Sequence, residues 1–196
     1  MKDYTMTEVS MNKNKKLSEH FTLGELTKTS YKTEDQNIPS RVAIENLKNL
    51  CENWLEDLRY SYNTLYPRGC PQDTVVEPAA LDRRSLATRS ALPLGLSKNG
   101  TQEAPLIINS GYRSPEVNKR AGGSATSNHL TGCAVDIRVA GFEQAIRYAS
   151  ILLDISDGTK QDFDELYIER NSAGRYWIHF AVRPKDNRRK VGFLQT

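Results

Sequence analysis

The chain has 196 residues, of which 38% are hydrophobic and 26% are charged, as is usual for one globular domain that can bury a core. Its mean hydropathy of −0.61 and its lack of a long apolar run exclude a membrane span. The net charge of +3 is too small to indicate nucleic-acid binding by itself. Three cysteines without a Cys-x-x-Cys pair argue against a disulfide framework.

Both ends of the chain are polar. Residues 1–16 contain no basic segment followed by an apolar one, so we expect a flexible N-terminal tail, no secretory signal and synthesis in the cytoplasm. A basic stretch begins at Arg183, and we interpret residues 185–196 as a solvated basic C-terminal tail. Residues 17–184 then form a single folded domain.

The first half of that domain contains a helix and a long irregular segment. Thr22-Leu-Gly-Glu25 has the outline of a capping box before a short helical turn. Apolar residues recur at three- and four-residue spacing from Ser40 to about Arg59, which predicts a helix with one side in the core. Residues 66–104 are interrupted by prolines and glycines. A connection of this length favours an insertion that forms a mobile flap, with plain disorder as the alternative.

The second half shows strands and helices in alternation. Residues 105–109 are typical of a buried strand, and a short helix begins at Ser114-Pro115 and ends before Gly122-Gly123. A strand, a helix and a two-stranded hairpin follow at Cys133–Val139, Glu143–Leu153, Glu165–Glu169 and Tyr176–Val182. These elements predict the α+β class, with a small, mostly antiparallel sheet flanked by helices.

One predicted strand carries a carboxylate that needs a partner. Asp136 shares a strand face with Arg138, and an ordinary ion pair between them is one explanation. His129 lies in the loop that enters this strand, and His179 lies in an apolar strand, where a histidine bonded to a carbonyl is the alternative. Two imidazoles and one carboxylate together would form a three-ligand zinc site with one open position, which suits amide hydrolysis.

A longer motif contains two of these residues. Ser127-Asn-His129-Leu-Thr-Gly132-Cys-Ala134-Val-Asp136 matches the S-x-H-x-x-G-x-A-x-D pattern of the zinc D-Ala-D-Ala carboxypeptidase family. Ser110-Gly-Tyr-Arg113-Ser and Trp177-Ile-His179 stand where that family has related pieces. The chain therefore resembles the LAS-type metallopeptidases, which include VanY-like enzymes and phage endolysins and share their fold with hedgehog domains. The resemblance covers residues 17–60 and 105–183 and leaves the insertion unexplained.

The resemblance implies one Zn²⁺ ion held by His129, Asp136 and His179. It also implies that Arg113 binds the carboxylate of the substrate peptide, a task that suits a planar guanidinium, with a plain surface arginine as the alternative. Ser127 would bond the substrate or steady the ligand loop, unless it is an ordinary loop serine. The resemblance thus assigns a metal site and a substrate site to the same loop and strand.

Three further residues near the motif are interpreted structurally. We expect Gly132 to allow a tight turn and a close approach of the backbone to the metal. Cys133 points away from Asp136 in the strand pattern, so we expect a small core residue rather than a ligand. His20 is far from the motif in sequence, and a capping or surface role is expected for it.

The motif leaves the catalytic base open. Many members of the family have an acidic residue three positions before the second histidine, where this chain has Tyr176. Glu165 and Glu169 share one strand face, and a hairpin loop of three or five residues pairs Glu169 with Trp177. That register puts Glu169 on the face of His179, whereas a loop of even length turns it away. Related proteins of the family often carry a strand glutamate shortly before the Trp-x-His motif, so the resemblance implies Glu169 as the catalytic base, with Glu165 as the second choice.

The sequence therefore predicts a zinc peptidase that hydrolyses peptidoglycan stem peptides, as a D-Ala-D-Ala carboxypeptidase or an endolysin-like endopeptidase. The alternative is a catalytically weak or inactive metal-binding module that binds peptide or peptidoglycan in the same groove. We expect a monomer without nucleic-acid or membrane partners. Because peptidoglycan lies outside the cytoplasm and no signal is visible, we expect phage or prophage delivery to the cell wall.

Overall fold

The computed structural model describes residues 12–66 and 103–196. The predicted insertion at 66–104 therefore lies almost entirely outside the described residues, as does Cys70. The described part forms five α-helices and one five-stranded sheet, which confirms the α+β class and the mostly antiparallel sheet. In that part of the chain, no helix has the length and apolar character needed to cross a membrane.

The first helix, α1 (Leu23–Leu26), begins with the predicted capping box. The Thr22 hydroxyl accepts a hydrogen bond from the Glu25 N–H at 3.4 Å, and the Glu25 carboxylate accepts one from the Thr22 N–H at 2.9 Å. Residues 12–16, which were expected in a tail, are attached here instead. The carbonyl of Lys13 accepts from the Gly24 N–H at 2.8 Å, so these residues extend the folded part beyond the predicted boundary.

A long helix forms the centre of the domain. It comprises α2 (Arg41–Leu50), a π-helical turn (Cys51–Leu55) and α3 (Glu56–Leu65), and it extends past the end predicted near Arg59. The Ser40 hydroxyl caps its start by accepting a hydrogen bond from the N–H of the third helical residue. The predicted apolar side is buried, with Leu47, Leu50, Trp54 and Leu58 at most 1% exposed.

The sheet has the strand order β1-β2-β4-β3-β5. Its strands are β1 (Ile108–Ser110), β2 (Ala134–Arg138), β3 (Glu165–Arg170), β4 (Tyr176–Ala181) and β5 (Lys190–Gln195). Neighbouring strands are antiparallel except β3 and β5, which are parallel. Two further helices, α4 (Pro115–Arg120) and α5 (Phe142–Thr159), and a 3₁₀ turn at Asn128–Thr131 connect them.

The two faces of the sheet differ in chemistry. One face is apolar and packs against the long helix and α5, with Val135, Ile137, Ile178 and Phe180 fully buried. The Trp54 ring lies 5.1 Å from the Phe180 ring in this core. The opposite face carries Asp136, His179 and the two glutamates of β3, because strand side chains alternate between faces. The polar side chains of the candidate site are thus grouped on one face of the sheet.

The C-terminal segment corrects the expected tail at 185–196. Residues Lys190–Gln195 form β5, which pairs in parallel with the whole of β3. The turn before it is anchored because the Arg188 guanidinium donates to Asp164, and the Arg189 N–H donates to the Phe163 carbonyl at 2.9 Å. The basic residues were expected to be solvated, but ion pairs and backbone bonds attach this segment to the sheet.

Candidate metal centre

Two of the three predicted ligands face each other across the sheet. Asp136 in β2 is paired with His179 in β4, and the antiparallel register places both side chains on the polar face. His129 approaches from the 3₁₀ turn that leads into β2. One ligand atom from each of the three residues lies within 4.8 Å of the others. The structure therefore brings the predicted His–Asp–His group together.

His129 is held in a defined tautomer. Its ring is 2% exposed, and its Nδ1 lies 2.6 Å from the carbonyl oxygen of Gly111. Because a carbonyl only accepts, Nδ1 carries the proton and Nε2 keeps its lone pair. Nε2 lies 3.3 Å from Oδ1 of Asp136. The turn thus presents the unprotonated nitrogen to the carboxylate.

Asp136 pairs with Arg113 and not with Arg138. Its Oδ2 forms an ion pair with the Arg113 guanidinium, while Arg138 is exposed at the end of β2. Arg113 is also fixed by its Nε, which donates to the Ser110 hydroxyl at 2.8 Å. Burial opposes ionisation of Asp136, but the neighbouring imidazoles hold its pKa well below its usual range. A charged carboxylate therefore stands between the two histidines.

His179 presents its other nitrogen to the same carboxylate. Its Nδ1 lies 3.0 Å from Oδ1 of Asp136, and its Nε2 lies 3.5 Å from Oε2 of Glu165. The Tyr167 ring stacks on it, with centroids 6.0 Å apart and planes at 18°. Burial alone would lower the pKa of His179, but the hydrogen bond to Asp136 and the contact with Glu165 raise it to about 9. The His179 ring therefore contacts two carboxylates and stacks on the ring of Tyr167.

These atoms fit a zinc ion. A tetrahedral zinc with bonds of about 2.0–2.1 Å to nitrogen and oxygen needs ligand atoms roughly 3.3 Å apart. The two nitrogens facing Asp136 lie 3.0 and 3.3 Å from its Oδ1. The donor set of two imidazoles and one carboxylate is also one that zinc prefers in catalytic sites. The side chains present therefore match the requirements of one zinc ion with three protein ligands.

Ser127 and Gly132 shape the turn that carries His129. The Ser127 hydroxyl accepts from the His129 N–H at 3.3 Å, so it steadies the ligand loop, one of the two roles expected for it. Gly132 has a φ of +70°, as the predicted tight turn requires. A Cβ at this position would lie 2.4 Å from the Ala43 carbonyl oxygen in α2. Gly132 therefore allows the backbone of the turn to approach α2, and not the metal as expected.

The hairpin register that decides the position of the glutamates is the one predicted for a loop of odd length. Glu169 is paired with Trp177, and Tyr167, between the two glutamates, is paired with His179. Glu165 and Glu169 are thus the two diagonal neighbours of His179 on the polar face. Trp177, the partner of Glu169, lines a cleft beside Asp136, although neither glutamate is among the residues that line it.

The environments of the two glutamates differ. The contact with His179 and the hydrogen bond from Asn128 lower the pKa of Glu165. Burial raises the pKa of Glu169 above its usual range, against the opposing charge of His179. A carboxyl with a raised pKa is the better proton carrier near neutral pH. The pKa values of the two glutamates are thus shifted in opposite directions, and the choice of Glu169 as the base stays a prediction.

Tyr176 does not take the place of an acid at this site. It precedes His179 by three residues in a strand and so lies on the opposite face. Its ring contacts Phe142, with centroids 5.3 Å apart, and Phe193 at 6.5 Å. The acidic residues that share the face of His179 are those of the neighbouring strand β3, Glu165 and Glu169.

A cleft of about 240 Å³ opens beside the carboxylate. Its walls come from the segment after α1, from β1 and α4, and from β4, and they include Lys28, Tyr31, Arg113, Asp136 and Trp177. Two of these residues are cationic and two are aromatic. The cleft thus presents cationic and aromatic side chains beside one of the candidate metal ligands, Asp136.

Three residues near His179 were not predicted from the sequence as part of the site. Asn128, Asp164 and Arg188 form a hydrogen-bonded group that includes Glu165. The sequence offered one signal, since Asp164 is an acidic residue between the apolar Phe163 and the strand. Its partner Arg188 was assigned to a tail, so the pairing was not predicted.

A known protein family matches part of the chain. The family model described as Peptidase M15 matches residues 88–166. The matched segment includes His129 and Asp136 and ends before Glu169 and His179. No curated protein matches the chain. The match covers less than half of the chain and shows that residues 88–166 are similar to Peptidase M15 proteins. The His–Asp–His group is a donor set that suits zinc.

Proposed function

We propose that this protein is a zinc peptidase that hydrolyses the stem peptides of peptidoglycan, as a D-Ala-D-Ala carboxypeptidase or an endolysin-like endopeptidase. The observation that carries the proposal is the grouping of His129, Asp136 and His179, whose ligand atoms lie within 4.8 Å of one another beside a cleft that Asp136 lines. The match to the M15 peptidases supports the same class of reaction.

His129, Asp136 and His179 would hold the zinc ion. When bound, zinc supplies a Lewis acid that polarises a peptide carbonyl and lowers the pKa of water to roughly 7. Asp136 contributes a negative charge, and its ion pair with Arg113 fixes the orientation of the carboxylate. The Gly111 carbonyl fixes the ring of His129. These contacts preorganise the ligand atoms before a metal arrives.

Glu169 is the proposed proton carrier. It lies one diagonal step from His179 and opposite Trp177, which lines the cleft. As a base it accepts a proton from the attacking water, and as an acid it returns that proton to the amine of the leaving residue. The peptide bond breaks, water supplies the new carboxylate oxygen, and the atoms balance without another reactant.

The cleft provides the proposed substrate site. Arg113 lines it, and a guanidinium can form paired hydrogen bonds with the carboxylate of a peptide. Lys28 adds a second positive charge on the same wall. A stem peptide that ends in a free carboxylate is complementary to this charge. We therefore place the substrate carboxylate near Arg113 and its scissile bond toward Glu169.

The proposed partner is the peptidoglycan stem peptide, and the proposed place of action is the cell wall, reached through phage or prophage delivery. This placement rests on the substrate and not on a feature of the fold. A monomer without nucleic-acid or membrane partners is part of the same proposal.

The test is hydrolysis of a peptide ending in D-Ala-D-Ala and of purified peptidoglycan, with fragments identified by mass spectrometry. At saturating zinc, Glu169→Gln should lower kcat by about 10²- to 10⁴-fold with one zinc retained. Glu143→Gln is the matched control, since Glu143 is exposed on α5 and pairs with Arg147, and it should leave kcat unchanged.

Three results would contradict this account. A larger loss of kcat in Glu165→Gln than in Glu169→Gln would transfer the proton-carrying role to Glu165. Zinc binding without cleavage of either substrate would indicate the alternative, a metal-binding module that binds wall peptides without hydrolysing them. A wild-type protein that binds no zinc would contradict both.

A further inference from the structure

A layer of four polar side chains, Asn128, Asp164, Glu165 and Arg188, lies beside His179, on the side of its Nε2 atom. Arg188, in the turn before β5, links two adjacent acidic residues. Its Nε and Nη2 donate to the two carboxylate oxygens of Asp164 at 2.7 and 2.6 Å, and its Nη2 also donates to Glu165 at 2.6 Å. Asp164 is fully buried, so this paired contact with Arg188 is shielded from water.

Asn128 ties the same layer to the loop of the first histidine. Its Nδ2 donates to Oδ2 of Asp164 at 2.8 Å and to Oε2 of Glu165 at 3.0 Å. Its backbone carbonyl accepts from the Cys133 N–H at 2.9 Å, which closes the turn that carries His129. A single amide side chain thus connects the His129 turn with the start of β3.

Glu165 ties the layer to the second histidine. Its Oε2 lies 3.5 Å from Nε2 of His179, the nitrogen that faces away from Asp136. A carboxylate at this nitrogen keeps the proton on Nε2 and leaves Nδ1 as the donor atom for a metal. Arg188 and Asn128 both restrain this carboxylate, so its direction is set by the layer and not by its own rotamers.

We propose that Asn128, Glu165 and Arg188 are positioning residues for the metal site, and that through Arg188 the C-terminal segment sets how tightly zinc is held. The inference rests on the proposed function, because it presupposes zinc at His129, Asp136 and His179. It assigns a role to a basic segment that the sequence indicates only as a solvated tail. The role is indirect, since none of the three residues offers an atom to the metal.

The neighbouring arginine provides a matched control. Arg189 donates to Asp157 at 2.5 Å, to Asp162 at 3.2 Å and to Ser156 at 2.6 Å, all around the end of α5. Its side chain is 38% exposed and that of Arg188 is 39% exposed. Both residues are arginines in the same turn, with similar exposure and with ion pairs to acidic residues. They differ because Glu165, a partner of Arg188, contacts His179, whereas the partners of Arg189 lie around the end of α5.

The experiment is a competition titration of the full-length chain with zinc against a chromophoric chelator, for wild type, Arg188→Gln, Glu165→Gln and Arg189→Gln. Loss of an outer partner of a metal-bound histidine typically costs 10- to 100-fold in affinity. We expect Arg188→Gln to weaken zinc binding by about tenfold or more, and Arg189→Gln to change it less than about twofold. Glu165→Gln keeps the size of the side chain and should weaken zinc binding by a similar factor to Arg188→Gln.

Thermal unfolding of the metal-free proteins separates positioning from folding. Both arginine variants lose ion pairs and should unfold at lower temperature, but only Arg188→Gln should lose zinc affinity. Equal zinc affinity in Arg188→Gln and wild type, or an equal loss in Arg189→Gln, would overturn the inference. If Arg188→Gln does not fold, the zinc affinity of Glu165→Gln tests the inference instead. Weaker zinc binding than in wild type would support the inference, and equal affinity would overturn it. Absence of zinc binding by wild type would instead contradict the proposed function.

Discussion

At the scale of single residues, the site depends on which nitrogen each imidazole presents. His129 donates from Nδ1 to the Gly111 carbonyl, and His179 turns Nε2 toward Glu165. The two remaining nitrogens both face Oδ1 of Asp136, at 3.3 and 3.0 Å. Each ring is thus held by a different partner, and the free lone pairs converge on one point.

Substitutions at His179 and at His20, the third histidine of the chain, test this arrangement. His179→Gln should weaken zinc binding by more than the roughly 10- to 100-fold that loss of an outer partner costs, because it removes a ligand. His20→Gln should leave zinc affinity unchanged, since Nδ1 of His20 lies 2.7 Å from Glu56 on α3 and serves to attach the N-terminal loop. The measurement is a zinc titration of both variants; similar affinities in the two would contradict the assignment.

At the scale of secondary-structure elements, the His129 turn is pressed against α2. Asn46 donates from its side chain to the Thr131 carbonyl at 2.8 Å, and Gly132 passes the Ala43 carbonyl without room for a Cβ. The long helix therefore supports the loop of the first ligand directly. Its placement relative to the sheet fixes where His129 sits.

Two glycines with the same backbone conformation test this close approach. Gly122 has a φ of +73° with nothing near its missing Cβ, whereas Gly132 has a φ of +70° beside the Ala43 carbonyl. Gly122→Ala should cost about 1–2 kcal/mol of stability through backbone strain alone. Gly132→Ala should cost about 1–3 kcal/mol more through overpacking. Urea unfolding of the two variants measures this difference, and equal midpoints would show that the helix does not constrain the turn.

The elements near the site show what local patterns can and cannot predict. Side-chain alternation predicts that Glu169 pairs with Trp177 if the hairpin loop is of odd length, and the structure has that pairing. The loop length itself was left open by the sequence. Strand β5 was not predicted because all six of its residues are exposed and its partner β3 is 20 residues or more away in sequence. The ion pair of Asp136 with Arg113 was missed for a related reason, since only the fold shows which of two nearby arginines approaches the carboxylate.

At the scale of the whole molecule, one buried acid links the site layer to global stability. Asp164 is fully buried, and although burial itself opposes ionisation, the hydrogen bonds from Arg188 lower its pKa to about 2. A carboxyl whose pKa is lower in the folded state stabilises the fold above its unfolded pKa near 3.9, and this stabilisation disappears as the pH falls toward 2. Its contribution at neutral pH is at most about 2.6 kcal/mol, at about 1.4 kcal/mol for each pKa unit.

The corresponding variant is Asp164→Asn, which removes the charge and keeps the shape. It should be less stable than wild type by about 2 kcal/mol at pH 7, and the gap should shrink as the pH is lowered from 4 to 2. Urea midpoints measured across this range give the gap directly. A difference that stays constant with pH would show that Asp164 contributes through packing and not through its charge.

The central claim is that one zinc ion is bound by two imidazoles and one carboxylate. X-ray absorption at the zinc edge of the zinc-loaded protein tests it most directly, because nitrogen and oxygen ligands lie at about 2.0–2.1 Å and sulfur at about 2.3 Å. The account predicts a single shell of nitrogen and oxygen with the scattering of two imidazole rings, and loss of that signal in His179→Gln. A sulfur shell, or a signal unchanged by that substitution, would place the metal elsewhere and contradict the account.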